Sequence, residues 1–177
     1  MKKNFFKKLW HFYWKEDSLL SYAFFLIVTY LLLRFAIYPG FLFITGLNDI
    51  VAIMTSSMEH SGSEELFFYS YFEDNLNYTR EEIDNLPFSN GLNRGDVIFV
   101  KQTNNYTQGD VIVFFSPYYP NKLVHRLVSE EPLMTKGDNN PQSYNFDTTI
   151  SEVVGEVVFK IPYLGLPRYW MYLIFGI

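Results

Sequence analysis

"GDVIFVKQ" at residues 95–102 and "GDVIVFFSP" at residues 109–117 carry the same local pattern twice. In each, glycine tolerates the turn backbone and aspartate offers an oxygen to a nearby N–H. A β-branched, apolar run follows both turns, which is the composition of a strand. "KLVHRLVSE" (122–130) alternates, with Leu123, His125, Leu127 and Ser129 on one face and Val124, Arg126 and Val128 on the other. "NDIVAIMT" (48–55) reads as a short strand, "MTKGDNN" (134–140) as a strand end and turn, and "SEVVGEVVFKIPYLG" (151–165) as one or two more strands. Short strands at this spacing, with no long helical pattern between them, predict an antiparallel β domain, open or barrel-like. Residues 64–90 are acidic and aromatic. There Thr79-Arg80-Glu81-Glu82 has capping-box spacing, predicting a short helix from Thr79, and "LPFSNG" supplies turn chemistry.

Upstream of these strands, "SLLSYAFFLIVTYLLLRFAIYPGFLFITG" (18–46) is almost uncharged. Leu19 to Tyr38 is long enough as a helix, at roughly 30 Å, to cross one hydrocarbon core. Asp17 or Ser18 is placed to cap its start, Pro39-Gly40 to end it, and Arg34 to reach headgroups from near its outer end. Phe41 to Thr45 offers a continuation past a kink. The bulky "RFAIYPGF" stands where a cleavable signal peptide would need small residues. An uncleaved anchor therefore fits better than a signal peptide or a buried helix of a soluble protein. At the other end, "LPRYWMYLIFGI" (166–177) is apolar and aromatic but too short to span a bilayer.

Charge is distributed to match. Residues 1–18 hold five lysines against Glu16 and Asp17, whereas eight Lys/Arg face seventeen Asp/Glu from residue 39 onward. The acidic main domain argues against nucleic acid as a partner. A basic end before an apolar run predicts that this end stays in the cytoplasm.

The chain of 177 residues has no cysteine, which removes disulfides, thiol nucleophiles and thiolate metal sites. His11, His60 and His125 are too scattered to suggest zinc, and neither metal nor cofactor is expected. Hydroxyls and lysines remain as nucleophiles. The serine-rich "MTSSMEHSGS" (54–63) needs a base within reach and a group to orient that base. His125, well separated in sequence, is the better candidate. His60 reads as an exposed loop residue too close to the serines to share a reacting atom with them. His11 lies before the anchor. Asp138 and Asp147 are both candidates to orient the histidine, whereas Asp96 and Asp110 read as turn residues.

The order of these pieces is more specific than any one of them. An N-terminal anchor, Ser-x-Ser-Met-Glu, Gly-Asp-Val-Ile twice, His-Arg-Leu-Val, Thr-Lys-Gly-Asp-Asn-Asn, Val-Gly-Glu-Val-Val and Ile-Pro-Tyr-Leu-Gly follow one another. Over residues 18–170 this resembles type I signal peptidase, most closely the archaeal and endoplasmic-reticulum branch. The resemblance implies a mainly β fold, with a transmembrane helix followed by an antiparallel, barrel-like peptidase domain. It implies a serine endopeptidase that removes signal peptides from exported preproteins, cleaving after small side chains. Ser57, the serine before methionine, corresponds to the nucleophile. His125 stands where this branch has its histidine base, and Asp138 matches the Gly-Asp-Asn turn. Asp147 corresponds to a second aspartate at somewhat longer spacing. Thr55 corresponds to a hydroxyl that helps the Ser57 N–H bind the oxyanion.

Two residues depart from the motif Ser-Gly-Ser-Met-x-Pro: Ser56 replaces its glycine and His60 its proline. The expected division is a cytoplasmic basic segment (1–17), an anchor and link (18–46, core about 19–38), and an extracytoplasmic peptidase domain (47–166). That domain carries an acidic, aromatic insert at about 62–92, and an apolar segment (167–177) follows it, to lie on the membrane or to pack on the domain. The implied partners are preprotein signal peptides, the lipid bilayer and protein-translocation machinery. Two other classes compete. One is a Ser–Lys self-cleaving or regulatory relative, for which Lys101 and Lys122 are available. The other is a catalytically inactive, anchored β-domain scaffold.

Overall fold

The computed structural model describes residues 2–15, 17–60 and 65–176. They divide into a helical unit, Met1–Gly46, and a β-rich unit, Leu47–Ile177. Ser61 and the first residues of the 62–92 insert lie outside the described residues.

In the helical unit the basic stretch forms α1 (Lys2–Lys15). It packs on α2 (Leu19–Leu32). Tyr13 Oη and Thr29 Oγ1 are 2.9 Å apart, the Ser21 hydroxyl donates to the Phe12 carbonyl, and Phe12 meets Phe24 edge-on. Ser18 caps α2 by accepting from the Ser21 N–H at 3.1 Å. The expected stop at Pro39-Gly40 is not where the helix ends. A π turn, Leu33–Ile37, leads into α3 (Tyr38–Thr45), and the chain stays helical from Leu19 to Thr45. Proline removes an N–H and crowds the preceding turn. Here Pro39 falls in the first turn of α3, directly after the widened π turn, where that loss matters least. Gly46, at φ +68°, closes the helix in the left-handed region. The 27 residues have a best-window mean hydropathy of 2.0. Among the described residues this is the one helix long and apolar enough to cross a membrane.

The β-rich unit contains β1 (Asp49–Ala52), α4 (Glu65–Leu76), α5 (Arg80–Asp84), β2 (Val97–Lys101), β3 (Val111–Ser116), β4 (Tyr119–Ser129), β5 (Met134–Lys136), α6 (Asn145–Thr148), β6 (Glu152–Ile161) and α7 (Leu166–Phe175). The strands make one antiparallel sheet in the order β1-β2-β6-β3-β4-β5. The expected mainly β architecture, an apolar N-terminal helix followed by an antiparallel sheet, is the one observed. Both Gly-Asp turns form as the sequence predicts: Gly95 (φ +86°) precedes β2 and Gly109 (φ +101°) precedes β3. Asp96 Oδ2 accepts from the Asn93 N–H, and Asp110 Oδ2 from the Thr107 N–H. The capping box at Thr79 also forms.

The sheet curls until its two ends approach. The segment after β1 meets the loop after β5 through hydrogen bonds from Asn139 N–H to Ser57 O (2.9 Å) and from Asn139 Nδ2 to Ser56 O (3.0 Å). One buried cluster joins β2, β3 and β6 to the segment after β1, with Ile53, Met58, Leu92, Ile98, Val100, Val111, Val113 and Val157. Helices α4 and α5 add a second. Phe68 and Phe72, one turn apart on α4, pack with Ile83 of α5 against Val128 of β4. A third, around Ile112, Phe114 and Leu127, occupies the opposite face of β3 and β4.

Candidate active site

Strand alternation separates the neighbours His125 and Arg126. His125 pairs in register with Ile112 and lies on the side of the third cluster, whereas Arg126 points beneath Phe68 of α4. His125 Nδ1 is 2.5 Å from Asp147 Oδ1. The same carboxylate oxygen accepts from Thr135 Oγ1 (2.8 Å), and Oδ2 accepts from the Tyr144 N–H (2.9 Å). Asp147 is fully buried and accepts from Thr135 and Tyr144; as the partner of His125 Nδ1 it favours the His125 tautomer protonated on that nitrogen. Its Nε2 is then the nitrogen free to take a proton. Phe146 and Phe114 flank the ring.

Asp138 has different partners. Arg126 clasps it with two bonds, Nε to Oδ1 (2.9 Å) and Nη2 to Oδ2 (2.7 Å). His60 Nε2 lies 2.9 Å from Oδ2. Burial alone would push the Asp138 carboxyl up; the charge of Arg126 and the hydrogen bonds from His60 and Arg126 outweigh it and hold it below the ordinary range. The remaining Arg126 donors reach the carbonyls of Pro87, Phe88 and Gly109, and its guanidinium stacks 4.7 Å from the Phe68 ring. Of the two aspartates offered as orienting groups, Asp147 stands beside His125 and Asp138 belongs to the Arg126–His60 cluster.

Ser57 sits in a turn closed by the Glu59 N–H on Ser56 O (3.0 Å). Its hydroxyl is 3.3 Å from Thr55 Oγ1. Ser56 occupies the usual glycine position without a positive φ, so the backbone there needs no glycine. His60 departs from its reading as an exposed loop residue: its side chain is 5% exposed and its ring lies 4.5 Å from that of Phe68.

A cleft of about 950 Å³ holds Thr55, Ser57 and His125 on its lining. One wall is β1 and its continuation to Thr55; the other is the first half of β4. Both walls expose strand edges. β1 pairs only with β2, and β5 pairs with β4 only from Arg126 onward. Lys122 and Asp49, from opposite walls, form an ion pair, and Arg168 and Tyr172 of α7 border the cleft. Among the described residues no group of histidines and carboxylates has the arrangement of a metal site.

Several residues that shape this site escaped sequence reasoning. Thr135 and Asn139 lie inside "TKGDNN", and Arg126 adjoins the candidate base. Their motif neighbours were the signal, but only the fold shows which atoms they hold.

No family model matches the chain. Its sequence is 27% identical over 164 residues to the signal peptidase complex catalytic subunit sec11 of Schizosaccharomyces pombe (strain 972 / ATCC 24843). That alignment covers 82% of this chain and 80% of the yeast protein, making the two distant relatives along most of their lengths.

Proposed function

We propose that this chain is a membrane-bound serine endopeptidase that removes N-terminal signal peptides from exported preproteins. Ser57 is the nucleophile, His125 the general base, and Asp147 the group that orients His125. The observation that carries the reading is the shared cleft: Ser57 and His125 both line it, and His125 is fixed on its far nitrogen by Asp147. The distant likeness to a signal peptidase catalytic subunit supports the substrate class.

In this mechanism His125 Nε2 removes the Ser57 proton as the oxygen attacks the scissile carbonyl. Asp147 keeps Nδ1 protonated and stabilises the imidazolium. The Ser57 N–H and the Thr55 hydroxyl receive the oxyanion, at about 3 kcal/mol per donor in sites of this kind. His125 returns its proton to the leaving amine, and water activated by the same imidazole releases the acyl group. The preprotein lies extended between the β1 and β4 edges, adding a strand to either wall. The apolar lining near Ile53, Met58 and Val124 then favours small side chains before the cut. Asp138 acts at one remove, on Arg126 and His60.

The Ser–Lys alternative finds less support, since Lys122 is engaged by Asp49 and Lys101 is exposed on β2. The helix Leu19–Thr45 serves as anchor, with the basic end in the cytoplasm and the β-rich unit outside. The exposed aromatic face of α7 rests on lipid.

Preprotein cleavage by the reconstituted full chain tests this. Ser57→Ala and His125→Ala are each expected to abolish it, and Ser57→Ala to abolish labelling by a fluorophosphonate. Normal processing by the Ser57→Ala protein would overturn the assignment.

A further inference from the structure

The turn that carries Ser57 is fastened on three sides. Asn139 holds the carbonyls of Ser56 and Ser57. Arg94 binds Glu59 through its backbone N–H (3.0 Å) and its Nε (2.7 Å). The third fastening is His60, whose Nε2 meets Asp138 Oδ2 at 2.9 Å, both side chains being nearly buried. Asp138 is itself rigid, because Arg126 holds both its oxygens and Arg126 is bonded to three carbonyls. The His60 ring is clasped between Phe68 of α4 and the backbone at Gly91. A side chain at Gly91 (φ +74°) would press to 2.8 Å from the imidazole and 2.6 Å from Met58 O.

We propose that His60 is a positioning residue. Its hydrogen bond to Asp138 ties the far end of the Ser57 turn to the Gly137–Asn140 loop and so sets where Ser57 Oγ stands relative to His125. Phe68 of α4 supports the imidazole, which couples the aromatic helices α4 and α5 to the nucleophile although, among the described residues, neither helix lines the cleft. The inference rests on the reading of Ser57 as nucleophile.

Three variants of the full chain separate the hydrogen bond from mere packing. His60→Phe keeps a ring against Phe68 and loses the donor, whereas His60→Gln keeps a donor at similar reach and loses the ring. A misplacement near 1 Å costs up to about 100-fold in rate, so His60→Phe is expected to lower kcat for preprotein cleavage by about tenfold or more, with KM within about twofold. Fluorophosphonate labelling should slow in parallel, and His60→Gln should recover most of kcat. Should His60→Phe fail to fold, His60→Asn, whose amide is too short to reach Asp138, is expected to show the same loss. Wild-type kcat in the folded His60→Phe or His60→Asn protein overturns the proposal, as does a His60→Gln protein as impaired as either. Ser57→Ala keeps the two readings apart. If it still cleaves, the functional reading has failed; if it is inactive while His60→Phe is fully active, only the role of His60 has failed.

Discussion

Asp138 and Asp147 are both buried carboxylates, and asparagine at each separates what they do. Asp147→Asn removes the acceptor that fixes the Nδ1–H tautomer of His125, so kcat should fall by a factor on the order of 10⁴ with the fold retained. Asp138→Asn leaves the Arg126 guanidinium without its counter-charge in a dry place, which costs on the order of 3–5 kcal/mol. Its signature is a fall in melting temperature, with cleavage per folded molecule reduced far less than in Asp147→Asn. Equal losses of kcat in the two folded proteins would count against this assignment. Lys136 gives a prediction about pH. It is buried, donates to Gly137 O at 3.1 Å and lies 4.9 Å from the Tyr71 ring centre. Burial pushes its pKa down to about 8, against the partial support of Asp138 and Asp147. Unfolding restores an ordinary lysine near 10.4, so between these values the unfolded chain binds more protons and stability rises with pH. Below pH 8 the folded state carries the whole cost of the buried charge. Lys136→Met should therefore raise the melting temperature at pH 7 and flatten the rise between pH about 8 and 10, as read by thermal unfolding across pH.

At the level of elements, legibility followed how local the physics is. The Gly-Asp turns, the capping box and the alternation of β4 need only a few neighbouring residues, and all three could be read directly. Helix α4 could not, because its buried pair Phe68 and Phe72 is embedded among other aromatics that blur the helical period. The end of the long helix was missed for the opposite reason. Pro39 is a strong local signal, but a π turn before it absorbs the disruption. The site divides in the same way. Ser57 and His125 are the candidates that the motifs single out, while which aspartate stands beside His125 and the burial of His60 depend on how the sheet brings distant loops together. In α7 the run 166–177 is helical from Leu166 to Phe175, and Trp170, Leu173, Ile174 and Phe175 are all more than half exposed. Such a face suits the headgroup boundary. With Trp10 and Trp14 replaced by phenylalanine, Trp170 becomes the sole tryptophan. Its fluorescence in the reconstituted chain should then be quenched by brominated lipid and not by aqueous iodide; the reverse pattern would detach α7 from the bilayer.

At the scale of the whole molecule the proposal stands on sidedness. A signal peptide's cleavage region emerges on the far side of the membrane, so the β-rich unit must face that side and the basic end of α1 must not. One feature of the sequence bears on this: five lysines precede the apolar helix, whereas no Lys or Arg stands between Gly46 and Thr79. The absence of cysteine makes the arrangement directly measurable, since any introduced thiol is the only one in the protein. Lys7 in α1 and Asn104 in the loop after β2 are both exposed and lie outside the candidate site. In sealed vesicles with the cytoplasmic face inward, an impermeant maleimide should label Asn104→Cys at once and Lys7→Cys only after detergent is added. Vesicles of the opposite sidedness should reverse that order. Immediate labelling of Lys7→Cys in the first preparation would put the β-rich unit on the cytoplasmic side. It could then meet an exported preprotein only before translocation, and the substrate class proposed for Ser57 would have to be abandoned even if its chemistry survived.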